Sequence, residues 1–413
     1  MLEERICEQD LSILNESSAI ANPYPVYDRL RAGSPHFGYR DFPPGTVPGV
    51  DEPQPAWVVL NFDDVAKTAY DHDSFSSRDS LQEGSSAPTL MLVNHDRPEH
   101  TRLRKIAAKV FQPSSIAALR GTAKSLAAIT MDEFVPANEP VDVMADYCAM
   151  LPSRIMAALL GVPLKHDREI RDWATAFMLS EDLAPQERQA RNIALFEFFD
   201  GFIRDYVTAR GQGNEEEAPL LRAFLDTEVD GERLSLEEVI RFCVTVTVAG
   251  AETTSFHLGN LFAVFADEPG IWQRYVEDPA LFGRIYNETL RYHGPPQRLF
   301  RVATRDVEIG GALIREGDWV AVFFGAANHD PAMFPEPNRF DPDRDNLNRQ
   351  MSFGYGIHRC LGAPLAKLEL EVTTELLRER FARIERATPA RWQGVSLLNH
   401  GLAENTLRFV PRT

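Results

Sequence analysis

Phe353-Gly354-Tyr355-Gly356-Ile357-His358-Arg359-Cys360-Leu361-Gly362, continuing as Ala363-Pro364-Leu365-Ala366-Lys367-Leu368-Glu369-Leu370, is the stretch on which the reading of this 413-residue chain turns. Glycines and an aromatic residue crowd a loop that delivers one cysteine to the start of an apolar-periodic helix. The first N–H groups of a helix are unpaired and its N-terminal end is positive, so a thiol placed there gains thiolate character. Such a sulfur serves as a nucleophile, an oxidation sensor or a metal ligand. Position alone leaves all three open, beside a plain buried cysteine after a turn. Small residues at Gly354, Gly356 and Gly362 let the backbone approach a flat, bulky cofactor and let the following N–H groups reach the sulfur.

The whole pattern, Phe-Gly-x-Gly-x-His-x-Cys-x-Gly, fixes six positions in ten and resembles the haem-thiolate loop of the cytochrome P450 family. The resemblance implies a mainly α (α+β) fold, a helical bundle with small β-sheets around a buried haem b (iron protoporphyrin IX). Cys360 would be the iron ligand, with Phe353 and Gly362 beside it.

A second segment, Asp96-Arg97-Pro98-Glu99-His100-Thr101-Arg102-Leu103-Arg104, runs into a helix that sets His100 above Arg104 at i, i+4. Two cationic or hydrogen-bonding groups on one face suit a carboxylate partner, and haem carries two propionates. A solvated helix face would look the same. In the resembled family this segment binds propionates, and Arg301 and His358 match positions with the same duty.

Ser235 followed three residues later by Glu238 forms a capping box, and helical periodicity then runs to Asp267-Glu268-Pro269. About 33 residues at 1.5 Å rise span roughly 50 Å, enough to cross a whole domain. Inside lies Ala249-Gly250-Ala251-Glu252-Thr253-Thr254, an odd run for a helix interior because glycine is unfavourable there and threonine can turn its hydroxyl onto a backbone carbonyl. The run predicts a local opening beside an acid and a hydroxyl; by itself it would also fit a kink in a core helix. It resembles the family's A-G-x-[DE]-T-T signature, which gives Thr253 and Glu252 the handling of protons around iron-bound dioxygen.

Glu288 and Arg291, at i, i+3, read either as a surface ion pair or, by the resemblance, as a buried cluster with Arg339 bracing the meander before the cysteine. Asp306 to Leu313 and Trp319 to Phe324 alternate like a hairpin around Gly310-Gly311. Residues 1–21 read as a loosely attached arm and 22–413 as one catalytic domain, and the resemblance covers 22 to 412 with its motifs in order.

A net charge of -18 argues against nucleic acid as a partner. Four cysteines without paired spacing give no disulfide framework or zinc site. With no signal pattern and no long apolar run, the expectation is a cytoplasmic protein without a membrane anchor.

The function expected is a monooxygenase that inserts one oxygen atom of O2 into a small or medium hydrophobic substrate, aromatic or terpenoid-like. No flavin or iron–sulfur motif is present, so electrons would come from a ferredoxin with its ferredoxin reductase and NAD(P)H. That partner would dock on a basic patch of Arg102, Lys105, Lys109, Arg359 and Lys367. By analogy the substrate pocket would be lined by Leu90, Met91, Phe177, Thr245, Val246, Ala249, Pro296, Leu299 and Leu398, with Arg298 either facing it or turned away. A peroxide-driven hydroxylase would replace the acid–alcohol pair, and a haem-thiolate gas sensor would not need one.

Overall fold

The computed structural model describes residues 11–41, 53–78, 90–178, 183–214 and 217–412. Five helices position the site: α1 (Glu99–Val110), α2 (Ala149–Leu160), α3 (Leu236–Asp267), α4 (Phe282–His293) and α5 (Ala363–Arg380). The capping box forms as the sequence predicts, with the Ser235 hydroxyl accepting from Glu238 N and Glu238 Oε2 accepting from Ser235 N. α3 buries side chains on every face, from Val239 to Phe265, so it runs through the core and packs against α2, α4 and α5. It stays helical through Gly250–Thr254, so the expected opening is not a break in the helix.

A five-stranded sheet lies beside the helices in the order 36–39, 56–59, 319–322, 299–303, 75–76. Ala56–Val59 pairs in parallel with Trp319–Val322, and Leu299–Ala303 pairs antiparallel to the same strand. The hairpin around Gly310-Gly311 exists, but its arms are Val307–Ile309 and Ala312–Ile314. Gly310 and Gly311 take φ of +54° and +81°, the positive values that a two-residue turn requires. Trp319–Val322 belongs to the large sheet instead, because its alternate residues are buried on both faces.

Residues 11–21 are not a loose arm. Leu11, Leu14, Ala19 and Ile20 are buried against Tyr24, Tyr27, Phe300 and Phe323; residues 1–10 lie outside the described range. The anchor of this end is Tyr24, which stacks on His329 at 3.8 Å and donates its hydroxyl to the Tyr292 carbonyl. His293 and His400 flank the same hydroxyl at 3.3 and 3.5 Å.

Burial pushes all three histidines below their ordinary value, His329 to about 3 and His400 to about 4, with His293 also driven down by its histidine neighbours and Arg291. The sign follows from the unfolded chain, where these rings ionise near pH 6.5. Below that pH the unfolded state takes up protons that the folded state refuses, so stability is present above about 6.5 and is lost as pH falls toward 4. Three such rings give a slope of about 4 kcal/mol per pH unit near pH 5. Chemical denaturation between pH 7.5 and 5 should show it, and His329→Asn should remove about one proton from the slope. An unchanged slope in that variant would mean the cluster does not govern acid stability.

Candidate active site

The cysteine loop is folded back on itself before it enters α5. Cys360 N donates to the Phe353 carbonyl at 2.7 Å and Gly354 N to the Met351 carbonyl at 2.8 Å. Gly356 has φ +70°, and a Cβ there would lie 2.9 Å from the Ala69 carbonyl, so only glycine lets the loop close on the helix Phe62–Tyr70. The N–H groups of Gly362 and Ala363, at the start of α5, point to the Cys360 sulfur. Cys360 is accessible where it borders the cavity, yet the protein walls around it push its thiol up, while those two N–H groups, Arg104 and Arg359 pull it back toward the thiolate. Cys360, Phe353, Gly354 and Gly362 border one cavity.

Arginines and histidines gather along one side of that cavity. Arg104, Arg301 and His358 border it, and His100 packs behind His358 with ring centroids 4.4 Å apart. Arg104 Nη2 donates to the Arg359 carbonyl at 2.6 Å, which ties α1 to the loop. Arg301 is fully buried and donates to its own neighbour, the Phe300 carbonyl. Burial lowers His100 to about 4, and burial with Arg301, His100 and Arg104 lowers His358 further still. Both ring nitrogens of His100 and Nε2 of His358 are buried without a hydrogen-bond partner. The cluster is short of negative charge and of acceptors, a state that buried polar groups do not tolerate by themselves.

α3 forms the opposite wall. Ala249, Gly250, Thr253, Thr254 and His257 border the cavity at helical spacing. The Thr253 hydroxyl donates to the Ala249 carbonyl at 2.7 Å, which leaves its oxygen to accept from a water or hydroxyl in the cavity. Glu252 is buried, does not border the cavity, and accepts at Oε2 from Asn399 Nδ2 at 2.8 Å.

A cysteine at a helix start, a threonine across from it with an acid behind, and arginines and histidines at the rim are brought together at one cavity, and sequence comparison agrees with that geometry. Residues 44–278 and 281–387 match the cytochrome P450 family. The chain belongs to the cytochrome P450 family. It is 33% identical over 378 residues to cytochrome P450 monooxygenase PikC of Streptomyces venezuelae, covering 90% of this chain and 86% of that one. It is 32% identical to putative cytochrome P450 YjiB of Bacillus subtilis, covering 88% of each. Its fold is similar to CYP109E1 of Bacillus megaterium in complex with testosterone, with a TM-score of 0.81 at 25% identity over 95% of this chain and 99% of that one. The P450 is therefore an oxidoreductase of the monooxygenase class, and its cofactor is haem b.

The residues present fit that cofactor. The unpartnered nitrogens of His100 and His358, with Arg104 and Arg301, suit two carboxylates. The glycines keep the approach to the sulfur clear; a Cβ at Gly362 would stand 3.9 Å from Cys360 Sγ.

Leu90, Met91, Thr245, Val246, Ala249, Pro296, Leu299 and Leu398 all border the cavity of this P450. Thr245 Oγ1 accepts from Met91 N at 2.9 Å and so pins the 90–94 turn over α3. Two expected lining residues do not reach it. Phe177 is packed into the core, and the next residue, Met178, borders the cavity in its place, because one step along a helix turns the side chain by 100°. Arg298 is buried in an ion pair with Asp41 and lies 4.9 Å over the Phe300 ring, away from the pocket. Phe111, Phe242, Phe324, His257, Glu369 and Asn399 also border it, without any local signal in the sequence.

The brace before the loop differs from expectation in one member. Glu288 and Arg291 are fully buried and share two hydrogen bonds of 2.7 Å. Arg339 is 60% exposed and pairs with Glu336 and Asp341, contributing only its carbonyl to Arg291. Arg344 takes the third place, with Nε 3.2 Å from Glu288 Oε1.

The basic patch is also altered. Arg102 pairs with Glu99 and Glu238, Lys105 with Asp230 at 3.0 Å, and Lys109 Nζ donates to the Glu228 carbonyl. Arg359 and Lys367 remain exposed and have no carboxylate partner among the described residues. Cys148 and Cys243 are free and buried, and no described helix is long and apolar enough to cross a membrane.

Proposed function

We propose that this P450 inserts one oxygen atom of O2 into a hydrophobic substrate of small to medium size, with Cys360 as the iron ligand. Haem so ligated supplies oxygen activation, the thiolate favouring O–O cleavage. His100, Arg104, Arg301 and His358 hold the propionates. Phe353 and Gly362 shape the sulfur's surroundings, and Glu252 and Thr253 hold and pass protons at the carboxylate and hydroxyl oxygens. The observation that carries this reading is the shared cavity, which sets the Cys360 sulfur and the Thr253 hydroxyl on its walls between apolar side chains.

The lining supports the substrate class. Leu90, Met91, Val246, Leu299 and Leu398 offer aliphatic surface, and Arg298, the cation that could have selected an anion, is spent on Asp41. An aromatic or terpenoid-like molecule suits such apolar walls, and CYP109E1 is described in complex with testosterone. Electrons come from a separate ferredoxin with its reductase and NAD(P)H, docking over the loop at Arg359 and Lys367.

The test is turnover with a surrogate ferredoxin and reductase across a panel of steroids, terpenoids and small aromatics. Consumption of NADH together with a hydroxylated product is expected; a carbon-monoxide complex without any turnover on the whole panel would favour a gas sensor. Lys367→Glu should slow ferredoxin-driven turnover roughly tenfold at low salt. Peroxide-driven turnover should stay unchanged. Lys105→Glu, already neutralised by Asp230, should matter less. Equal losses in both assays would remove Lys367 from the docking face.

A further inference from the structure

Glu252 is held from outside its own helix. Asn399, itself 2% exposed, donates from Nδ2 to Glu252 Oε2 at 2.8 Å across 147 residues of sequence. Asn399 borders the cavity and Glu252 does not, so the residue that grips the acid is itself part of the cavity wall.

The turn that carries Asn399 is held by several hydrogen bonds. Its carbonyl accepts from the buried Gln393 amide, Gln297 N donates to the Leu398 carbonyl at 3.2 Å, and His400 N donates to the Pro295 carbonyl. Gln393 Oε1 in turn accepts from Val395 N and Ser396 N. The same turn presents Leu398 to the cavity, beside Pro295 and Pro296. One hydrogen-bonded unit therefore both touches the substrate space and grips the acid. A buried carboxylate whose hold is loosened next to Thr253 would draw water into the cavity and let protons reach it without substrate.

We propose that Asn399 is a positioning residue that keeps the Glu252 carboxylate behind the cavity wall, and that proton delivery from Glu252 requires this hydrogen bond to break. The inference rests on the reading of Cys360 as the haem ligand and of Glu252 as a proton carrier. Its signature is leakage. When reduced protein meets air, each leak event moves one electron and one proton onto dioxygen, which departs as the hydroperoxyl radical and leaves ferric iron. Loss of the amide grip should speed it.

The experiment uses haem-loaded, substrate-free protein reduced with dithionite and mixed with air-saturated buffer, with reoxidation followed by absorbance. Asn399→Leu should reoxidise at least threefold faster than the parent, and Asn399→Ala, which also removes the donor, should do the same. Adding Glu252→Gln to Asn399→Leu should return the rate to the parent level. Infrared difference spectra give a second readout: the carboxylate band identified by its loss in Glu252→Gln should move in Asn399→Leu. Unchanged reoxidation in both variants, an acceleration that persists without the Glu252 carboxyl, or an unmoved band would overturn the proposal. Protein that never binds haem would instead count against the role given to Cys360, and the infrared comparison still decides the Asn399 contact.

Discussion

Cys360→Ala is expected to yield a folded protein whose reduced carbon-monoxide spectrum lacks the thiolate band and whose monooxygenase turnover falls by on the order of 10³-fold or more. The reason lies in how the loop treats the sulfur. The Gly362 and Ala363 N–H groups, Arg104 and Arg359 all favour negative charge there, against the protein walls around it, which favour the neutral thiol. A metal cation at the sulfur tips that balance to the thiolate, since a coordinating thiol is deprotonated outright. Alanine offers no ligand and leaves four favourable electrostatic contacts without a charge to act on. Little in the fold depends on the sulfur itself, because the loop is closed by backbone contacts, Cys360 N to Phe353 O and Gly354 N to Met351 O. Far-ultraviolet circular dichroism should therefore match the parent, which separates loss of ligand from loss of fold. A Cys360→Ala protein with an unaltered Soret band and the same ligand spectrum would remove Cys360 from the role.

The features that were legible in the sequence are those set by local physics. Ser235 and Glu238 close the capping box within four residues, so the start of α3 is found to within one position. The glycine pair at 310–311 marks its turn because both residues need positive φ. The cysteine loop is legible for the same reason: its glycines, its carbonyl contacts and its helix start all fall within a dozen residues.

What was not legible depends on which way a side chain faces once distant segments meet. Arg339 and Arg344 sit five residues apart in one meander, and only the fold decides that Arg344 turns inward to Glu288 while Arg339 meets solvent. Phe177 and Met178 are neighbours, and α-helical phase gives the cavity to the second. The charge of Lys105 looked available because its partner, Asp230, lies 125 positions away, whereas Arg102 meets Glu99 three positions before it as well as the distant Glu238. Residues 11–21 read as loose because their apolar and polar residues are interleaved in a short stretch, yet Leu11, Leu14, Ala19 and Ile20 seat the segment. Asn399 carries no motif at all; its partner Glu252 is on another element, and only the meeting of the two gives the amide a task.

Arg291→Ala and Glu288→Ala are each expected to prevent recovery of folded holoprotein. Glu288 accepts from Arg291 Nε and Nη2 at 2.7 Å, from Arg344 Nε and from Asp341 N. Arg291 also donates to the carbonyls of Asn328, Pro337 and Arg339. The pair thus ties α4 to three points of the segment that leads into the cysteine loop, with both side chains fully buried. Removing one member strands a buried charge, at a cost of about 3–5 kcal/mol. Against a total stability of about 5–15 kcal/mol, that is a large fraction. The two variants should fail for different reasons. Arg291→Ala leaves the Glu288 charge with Arg344 and takes the donor from the Asn328 and Pro337 carbonyls, the Arg339 carbonyl keeping Arg344 Nη2, whereas Glu288→Ala leaves Arg291 with its carbonyls but no anion. Replacing the pair together by apolar residues cures only the charge problem and still orphans those carbonyls, so the double variant should not recover haem binding. Arg291→Lys supplies charge without the planar fork that meets five acceptor atoms, and should remain well below the parent in thermal midpoint. Haem content per chain and the melting curve read the result directly: an Arg291→Ala protein with full haem content and a melting midpoint within a few degrees of the parent would mean that the meander is braced elsewhere.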